Sequence, residues 1–509
     1  MPDATVRKGG QFIEVSSNGQ NPLPMAALKT LEGLLYYDHV TFHFGCNRFD
    51  DGGKRGLTHE RRVMFTYDDS GRLCCFKGFY PKVKANLEKL GYRVVYIDKD
   101  TPKRPEIYQA NWERVFERFQ LRAEQDTCLS QIDMHDYGVV VAPPAFGKTH
   151  LMAMVANLYP KAKIDIVTKR KDVVGRIIQL VSETVPDVGQ VGGGKHHDSR
   201  VTVYTADSLH RSNYTADILL ADEGHELMTD RLAEMLGRYA SSRNYTFTAT
   251  PDMRLDGAHA RMEGIFGPKI FSMSQRDAER HALVTPIMVQ WVDVRSDADV
   301  AGPYKTIVSR KRHGIWRNHQ RNSILAETAK SFLEDGLQVL VLVDTIDHAL
   351  HLRRFLPEAK LCYSEGALGQ GTEKRATYIR AGLLTEEEEM TSAQRTELRK
   401  QFERREVMCC IATGVWAVGV SFDSLNVLIR ADAGDSETLN VQMPGRVCRT
   451  DTGTGKECGI LIDFMDHWSD YFRARSSNRR RDYHTRGWVQ LNGDGSIWEP
   501  MSRGHRGNL

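Results

Sequence analysis

The chain has 509 residues, 41% hydrophobic and 27% charged, with a formal net charge of +3. This is ordinary globular composition at a length that suits roughly three domains, and it excludes a disordered or fibrous protein. So balanced a charge means that attraction to an acidic partner must come from local basic clusters. No apolar run is long enough to span a bilayer, and the opening MPDATVRKGGQFIEV lacks the apolar core of a signal peptide. No membrane association is expected, and a cytoplasmic location is. Nine cysteines without metal-like spacing fit buried free thiols in a reducing compartment.

Residues 1–30 carry no strong pattern and are expected to be loosely ordered. From about 35 to 100 the chain reads as a small α/β module. HVTFHF and RVMFTYDDSGRLCCFKGFY are strands, the second with a turn at Asp69-Ser70-Gly71, and YPKVKANLEKLGY has helical spacing before the strand RVVYID. DKDTPKRPE is a polar linker. From about 110 to 275 short β-branched runs (YGVVVAP, AKIDIVTK, RVTVYTA, ADILLADE, NYTFTATP) alternate with helical stretches. That rhythm implies a parallel sheet buried on both faces. It restarts after about 280 with LQVLVLVDT, EVMCCIATG, LNVLIRAD and CGILIDF. TEEEEMTSAQRTELRKQF is an acidic turn leading into a helix, with Thr391 and Gln394 placed for a capping box.

VVVAPPAFGKTH, Val139–His150, has a strand entering a turn that ends in Gly-Lys-Thr before a helix. This is the context of a phosphate-binding loop. Backbone N–H groups from Ala145 through Phe146, Gly147, Lys148, Thr149 and His150 would face phosphate at a helix N-terminus. Lys148 would reach the β- and γ-phosphates and the Thr149 hydroxyl would hold Mg²⁺. Ala145 stands where such loops usually have glycine, and it is expected to fit with a negative φ. ADILLADEGHEL delivers Asp222 and Glu223 at a strand end, Asp222 for Mg²⁺ and Glu223 to position and deprotonate water. His225 would sit where it could sense the γ-phosphate. DAGDSETLNVQMPGRVCRT contains Gln442, Arg446 and Arg449 as Q-x-x-G-R-x-x-R. On a helix the two arginines share a face, and an arginine directed at a γ-phosphate is worth about 10³–10⁵ in rate.

In this order the motifs resemble superfamily 2 helicases of the DEAD/DEAH type, most nearly the phage UvsW-like and XPB-like DNA helicases and translocases, over about 110–490. LRAEQ, with Arg122 and Gln125, resembles the segment before the phosphate loop, whose glutamine holds adenine in the family. AKIDIVTKRKDVVGR resembles a motif touching nucleic-acid backbone, and VGQVGGGKHHDSRVTVYTADSL the glycine-rich turn of this branch. FTATPDMRLDG, with Thr248-Ala249-Thr250, resembles the motif coupling the ATP site to nucleic acid. ATGVWAVGVSFDSLNVLI resembles motif five, with Gly419 and Asp423 in place. Two departures stand out: Ala145 for glycine, and Gly224 where alanine is usual.

The resemblance implies two tandem RecA-like parallel-sheet domains with a small N-terminal α/β module. The expected boundaries are 1–108 for that accessory module, with DNA binding as its candidate role, 109–280 for the first RecA-like domain and 281–509 for the second with its basic C-terminal segment. It implies ATP and Mg²⁺ as cofactors, with Lys148, Thr149, Asp222 and Glu223 in the first domain and Gln442, Arg446 and Arg449 in the second. Lys169, Arg170, Thr205 and Thr413 are candidates for contacts to the nucleic-acid backbone, which carry little sequence information. The basic stretches SRKRHGIWRNHQRN and RARSSNRRRDYHTRGW could add stacking and phosphate contacts. The expected activity is an ATP-dependent DNA helicase or translocase acting on single-stranded or branched DNA, with replication or recombination proteins as candidate partners. An RNA-remodelling DExH ATPase and a non-catalytic nucleic-acid-binding subunit remain the alternatives.

Overall fold

The computed structural model describes residues 2–42, 57–99, 105–249, 258–296, 298–368, 372–417, 422–436, 439–440, 443–447 and 456–499. The chain divides between Met273 and Ser274 into two compact units, with Pro143–Phe146 grouped with the second.

The first unit contains a five-stranded and an eight-stranded sheet. β1 (Asp3–Gly9) and β2 (Phe12–Ser17) form an antiparallel hairpin, so the start of the chain is ordered, contrary to expectation. The signal is local: Ala4, Val6, Ile13 and Val15 alternate to one buried face around a turn in which Gly10 has φ +60°. β3 (Tyr36–Phe42) pairs with β4 (Leu57–Val63) as a separate ribbon. β5 (Phe65–Tyr67) and β6 (Leu73–Phe76) flank the expected turn, where Asp68 accepts from the Ser70 and Arg72 N–H groups and Gly71 has φ +75°. β7 (Arg93–Asp98) completes the sheet order β5-β6-β2-β1-β7. This sheet is fastened to the larger one by Lys77, fully buried, whose Nζ donates to Ser241 O at 2.7 Å. Close by, Gly78 lies so near Glu263 that a Cβ would stand 2.1 Å from its carbonyl oxygen.

The larger sheet is built from β8 (Tyr137–Val141), β9 (Ile164–Thr168), β10 (Val188–Gly192), β11 (Lys195–His197), β12 (Val201–Thr205), β13 (Ile218–Asp222), β14 (Arg243–Thr248) and β15 (Lys269–Ser272). Its order is β11-β10-β12-β9-β13-β14-β8-β15, parallel except for the β10–β11 hairpin. β9, β12 and β13 are buried along their whole length, as strands covered on both faces must be. The hairpin falls in the glycine-rich stretch and was not legible as two strands; Gly192, Gly193 and Gly194 all turn through positive φ there.

The second unit is an all-parallel seven-stranded sheet. Its strands are β16 (Ile287–Val294), β17 (Val339–Leu342), β18 (Lys360–Cys362), β19 (Cys409–Ala412), β20 (Val427–Arg430), β21 (Gly459–Asp466) and β22 (Val489–Leu491), in the order β18-β19-β17-β20-β21-β16-β22. The four expected runs supply β17, β19, β20 and β21; β16, alternating in burial, supplies the partner between β21 and β22. The helix Ser392–Glu403 starts with the expected capping box: Thr391 Oγ1 accepts from Gln394 N at 3.2 Å, and Gln394 Oε1 from Thr391 N at 2.8 Å. The described cysteines are free thiols, most of them buried. No described helix is long and apolar enough to cross a membrane.

Candidate functional site

Four neighbouring strands, β9, β13, β14 and β8, bring their carboxyl ends to one edge of the eight-stranded sheet, the position where open α/β sheets hold ligands. β8 leads through Ala142, whose N–H donates to Thr248 O at 3.0 Å, into a turn ending at Gly147. Gly147 has φ +101°, a backbone conformation that demands glycine, and a Cβ there would also stand 2.7 Å from Gln125 Nε2. The helix Lys148–Leu158 follows, with Thr149 and His150 in its first turn. As N-cap, Gly147 offers no side chain to these N–H groups, which together with the helix dipole favour an anion. Gln125 is held by the preceding helix start, where its Oε1 accepts from Arg122 N at 3.2 Å.

Ala145 overturns one expectation: its φ is +66°, in the left-handed region. The path between the end of β8 and the helix start is fixed at both ends, so the loop keeps the shape a glycine would give. The methyl group is tolerated at a cost of about 1–2 kcal/mol. Glu223 is also left-handed, with φ +47° and ψ +56°, directly after β13. Strain of this kind persists where the surroundings over-determine the backbone, and it clusters at functional sites.

Gly224 is explained by its neighbour on β14. A Cβ at 224 would lie 2.0 Å from Thr246 Oγ1, which donates to Ala221 O at 3.1 Å. Threonine at 246 therefore fills the space that an alanine at 224 would need.

The charged groups converge. Lys148 Nζ donates to Ala142 O at 3.2 Å and lies 3.5 Å from Glu223 Oε1. Glu223 Oε2 is buried, accepts no hydrogen bond among the described residues and lies 3.5 Å from His225 Nδ1. Burial, and then the Glu223 carboxylate, push the Asp222 carboxyl up to about 7, against the Lys148 charge and a weak contact from Thr168 Oγ1 at 3.4 Å. A cation would relieve both causes, so the donor set fits a hard divalent ion with oxygen ligands. Burial lowers the His225 imidazole below its ordinary value, and its Nδ1 pairs with Thr248 Oγ1 at 2.8 Å. The acidic motif is thereby joined to the Thr248-Ala249-Thr250 segment, of which Thr250 lies outside the described residues.

The expected backbone-contact residues separate. Lys169 is exposed. Arg170 is engaged by Glu226, through Nε at 3.0 Å and Nη2. Burial raises the Glu226 carboxyl, but the Arg170 hydrogen bond and charge outweigh it and hold the group below its usual value. Thr205 is buried and donates to Ser208 Oγ at 3.0 Å, so its side chain is turned inward rather than toward a ligand. Thr413 is half-buried just past β19, its N–H on Cys362 O. Asp423 is exposed. Gly419, Gln442 and Arg449 lie outside the described residues; Pro444–Arg446 form a single 3₁₀ turn. The basic stretches are divided between interior and surface, with Arg312, Arg317, Arg473 and Arg481 exposed. Arg321 is fully buried on Asp466, Arg317 binds Asp347, Arg479 is buried on Asp463, and Arg475 pairs with Asp435. Neither the pairing of Arg170 with Glu226 nor that of Thr246 with Gly224 is announced in the sequence beyond the charged residues of T-K-R and D-E-G-H-E.

Residues 110–253 match the family model described as type III restriction enzyme, res subunit, and residues 321–451 match the helicase conserved C-terminal domain. The chain belongs to the superfamily 2 helicases. Solved structures agree on the fold. The fragment structure of a putative HsdR subunit of a type I restriction enzyme from Vibrio vulnificus YJ016 is similar at a TM-score of 0.52 and 14% identity, covering 91% of this chain and 94% of that one. S. cerevisiae Dbp5 bound to RNA and ADP BeF3 is similar at 0.52 and 13% identity, covering 80% and 96%. T4 UvsW covers 96% and 99% at 14% identity, but its TM-score of 0.39 is too low to carry an argument. No curated protein sequence matches the chain. As a superfamily 2 helicase, the chain is a helicase-type ATPase with two RecA-like domains.

Proposed function

We propose that this superfamily 2 helicase is a DNA-stimulated ATPase that couples ATP hydrolysis to movement along, or remodelling of, single-stranded or branched DNA. The observation that carries the reading is the convergence at one sheet edge of Lys148, Asp222, Glu223 and His225, with His225 joined to Thr248. In this reading Lys148 and the N–H groups of Gly147–His150 bind the phosphates, and Gln125 with Arg122 holds the base. Thr149 and Asp222 hold Mg²⁺, which when bound offsets phosphate charge. Glu223 accepts a proton from the attacking water. His225 stays neutral and passes the occupancy of the site to Thr248. Arg446 and Arg449, with Gln442, Gly419 and Asp423, belong to the motifs of the second unit that complete hydrolysis. The assignment of residues 1–108 to DNA engagement, 109–280 to the first motor domain and 281–509 to the second goes with this reading, as does Lys169 as an exposed backbone contact.

Two features favour DNA over RNA: the restriction-enzyme model over residues 110–253 and the glycine-rich hairpin at Gly192-Gly193-Gly194. The test is the ATPase rate with single-stranded, duplex, forked and four-way DNA and with RNA. Stimulation by DNA, strongest with one of the structured forms, is expected; stimulation by RNA alone would reject the substrate assignment. Contacts of this type neutralise phosphates, so the affinity should fall steeply with salt.

A further inference from the structure

The second unit encloses a polar network that the nucleotide chemistry above does not use. Arg430, at the end of β20, is fully buried. Its Nε donates to Asp432 Oδ1 at 2.8 Å, and its Nη1 to Asn440 Oδ1 and to the Tyr483 hydroxyl at 3.0 Å. Tyr483, on the helix Asp470–Thr485, in turn donates to Asp463 Oδ2 at 2.8 Å. Arg479 from the same helix grips Asp463 through Nε and Nη2, both at 2.8 Å, and reaches Gly434 O with Nη1, also at 2.8 Å. Ala433, between these contacts, is buried and held at φ +50°.

Replacing a buried ion pair by apolar residues of the same volume is often neutral or stabilising, so stability alone does not account for such a network. Its informative member is Asn440. The others lie on β20, on β21, on the long helix or in the turn after β20. Asn440 lies in the helical turn that enters the arginine motif, where its N–H bonds Ser436 O at 2.9 Å and Met443 N bonds Leu439 O at 3.0 Å. Asn440 is fully buried, and its Nδ2 donates to Asp482. Beyond it, Met443 and Val447 are buried, and Gly459 leaves room for Val447 O, which a Cβ there would approach to 2.2 Å. Asn440 is thus held by polar groups, and Met443 and Val447 by apolar surroundings.

We infer that Asn440, gripped by Arg430 under the Tyr483–Asp463 pair, is a positioning residue that sets the placement of the arginine motif containing Arg446. The inference rests on the reading of that motif as acting in hydrolysis. Asn440 works through the backbone that follows it, and a geometry error there costs turnover rather than nucleotide binding.

The test combines a double-mutant cycle with amide hydrogen exchange on the full chain. Asn440→Ala should lower DNA-stimulated kcat on the order of 10- to 100-fold while leaving KM for ATP within about twofold. Exchange should accelerate across residues 439–447 and not in β20 or β21. In the Arg446→Ala background Asn440→Ala should have no further effect on kcat, because both changes remove the same function. Multiplicative losses would overturn the inference while leaving the arginine reading intact. So would an unchanged kcat in Asn440→Ala, or unchanged exchange in the segment. An unchanged kcat in Arg446→Ala would overturn the arginine reading itself and the inference with it. If Asn440→Ala does not fold, Tyr483→Phe keeps the ring and deletes only the hydroxyl. A loss of kcat at constant KM that vanishes in the Arg446→Ala background supports the inference, and one that persists there overturns it.

Discussion

The edge of the first unit's sheet and the interior of the second unit use charge in opposite ways. At the edge, Lys148, Asp222 and Glu223 make few and long contacts, two backbone positions are left-handed, and a buried carboxylate oxygen accepts no hydrogen bond among the described residues. In the second unit Arg321, Arg430 and Arg479 are each buried and matched donor to acceptor with short hydrogen bonds. The first arrangement stores strain and unmet hydrogen bonding that a ligand can satisfy. The second spends its charge on the fold. Basic residues in the sequence therefore do not by themselves mark a surface for an acidic partner.

The sharpest way to break this comparison is to unpair the second unit. Asp463→Ala removes the acceptor of both Arg479 and Tyr483 and leaves a buried guanidinium, which should cost about 3–5 kcal/mol; denaturant unfolding would measure it. A loss below about 1 kcal/mol would mean that the network is solvated and not built into the fold. A smaller effect is expected at the first unit's edge from Gly224→Ala. Overpacking against Thr246 should cost about 1–3 kcal/mol, and in a Thr246→Ala background the same change should cost nothing further. An equal cost in both backgrounds would separate Gly224 from Thr246. The smallest effect belongs to Ala145→Gly, which relieves the left-handed strain but gives the unfolded chain more freedom. It should raise stability by at most about 1 kcal/mol with ATPase activity retained. A destabilised variant would show that the alanine is not strained.

The same contrast explains what the sequence made legible. The placement of Gly147-Lys148-Thr149 between a strand and a helix, and of Asp222-Glu223 at a strand end, could be read because each stands at short spacing beside its element. The parallel sheets followed from β-branched runs, and the Thr391–Gln394 capping box from two residues three apart. Contacts that join distant positions were not legible. Arg321 finds Asp466 across 145 residues and Lys77 finds Ser241 across 164, with nothing in either neighbourhood to announce the partner. Side-chain preference favours negative φ at Ala145, but the fixed ends of the loop hold it at φ +66°. In the hairpin of β1 and β2, Ala4, Val6, Ile13 and Val15 alternate around Gly9-Gly10, but strands this short give too few residues for the period to stand out.

The central claim is that the edge formed by Lys148, Asp222, Glu223 and His225 is where ATP is hydrolysed. The direct measurement is ATP turnover with saturating single-stranded DNA for the unmodified protein, Lys148→Ala and Glu223→Gln, each checked for an unchanged melting temperature. The account predicts DNA-stimulated turnover in the first and a loss of at least about 100-fold in each variant. Full turnover in either folded variant would contradict it.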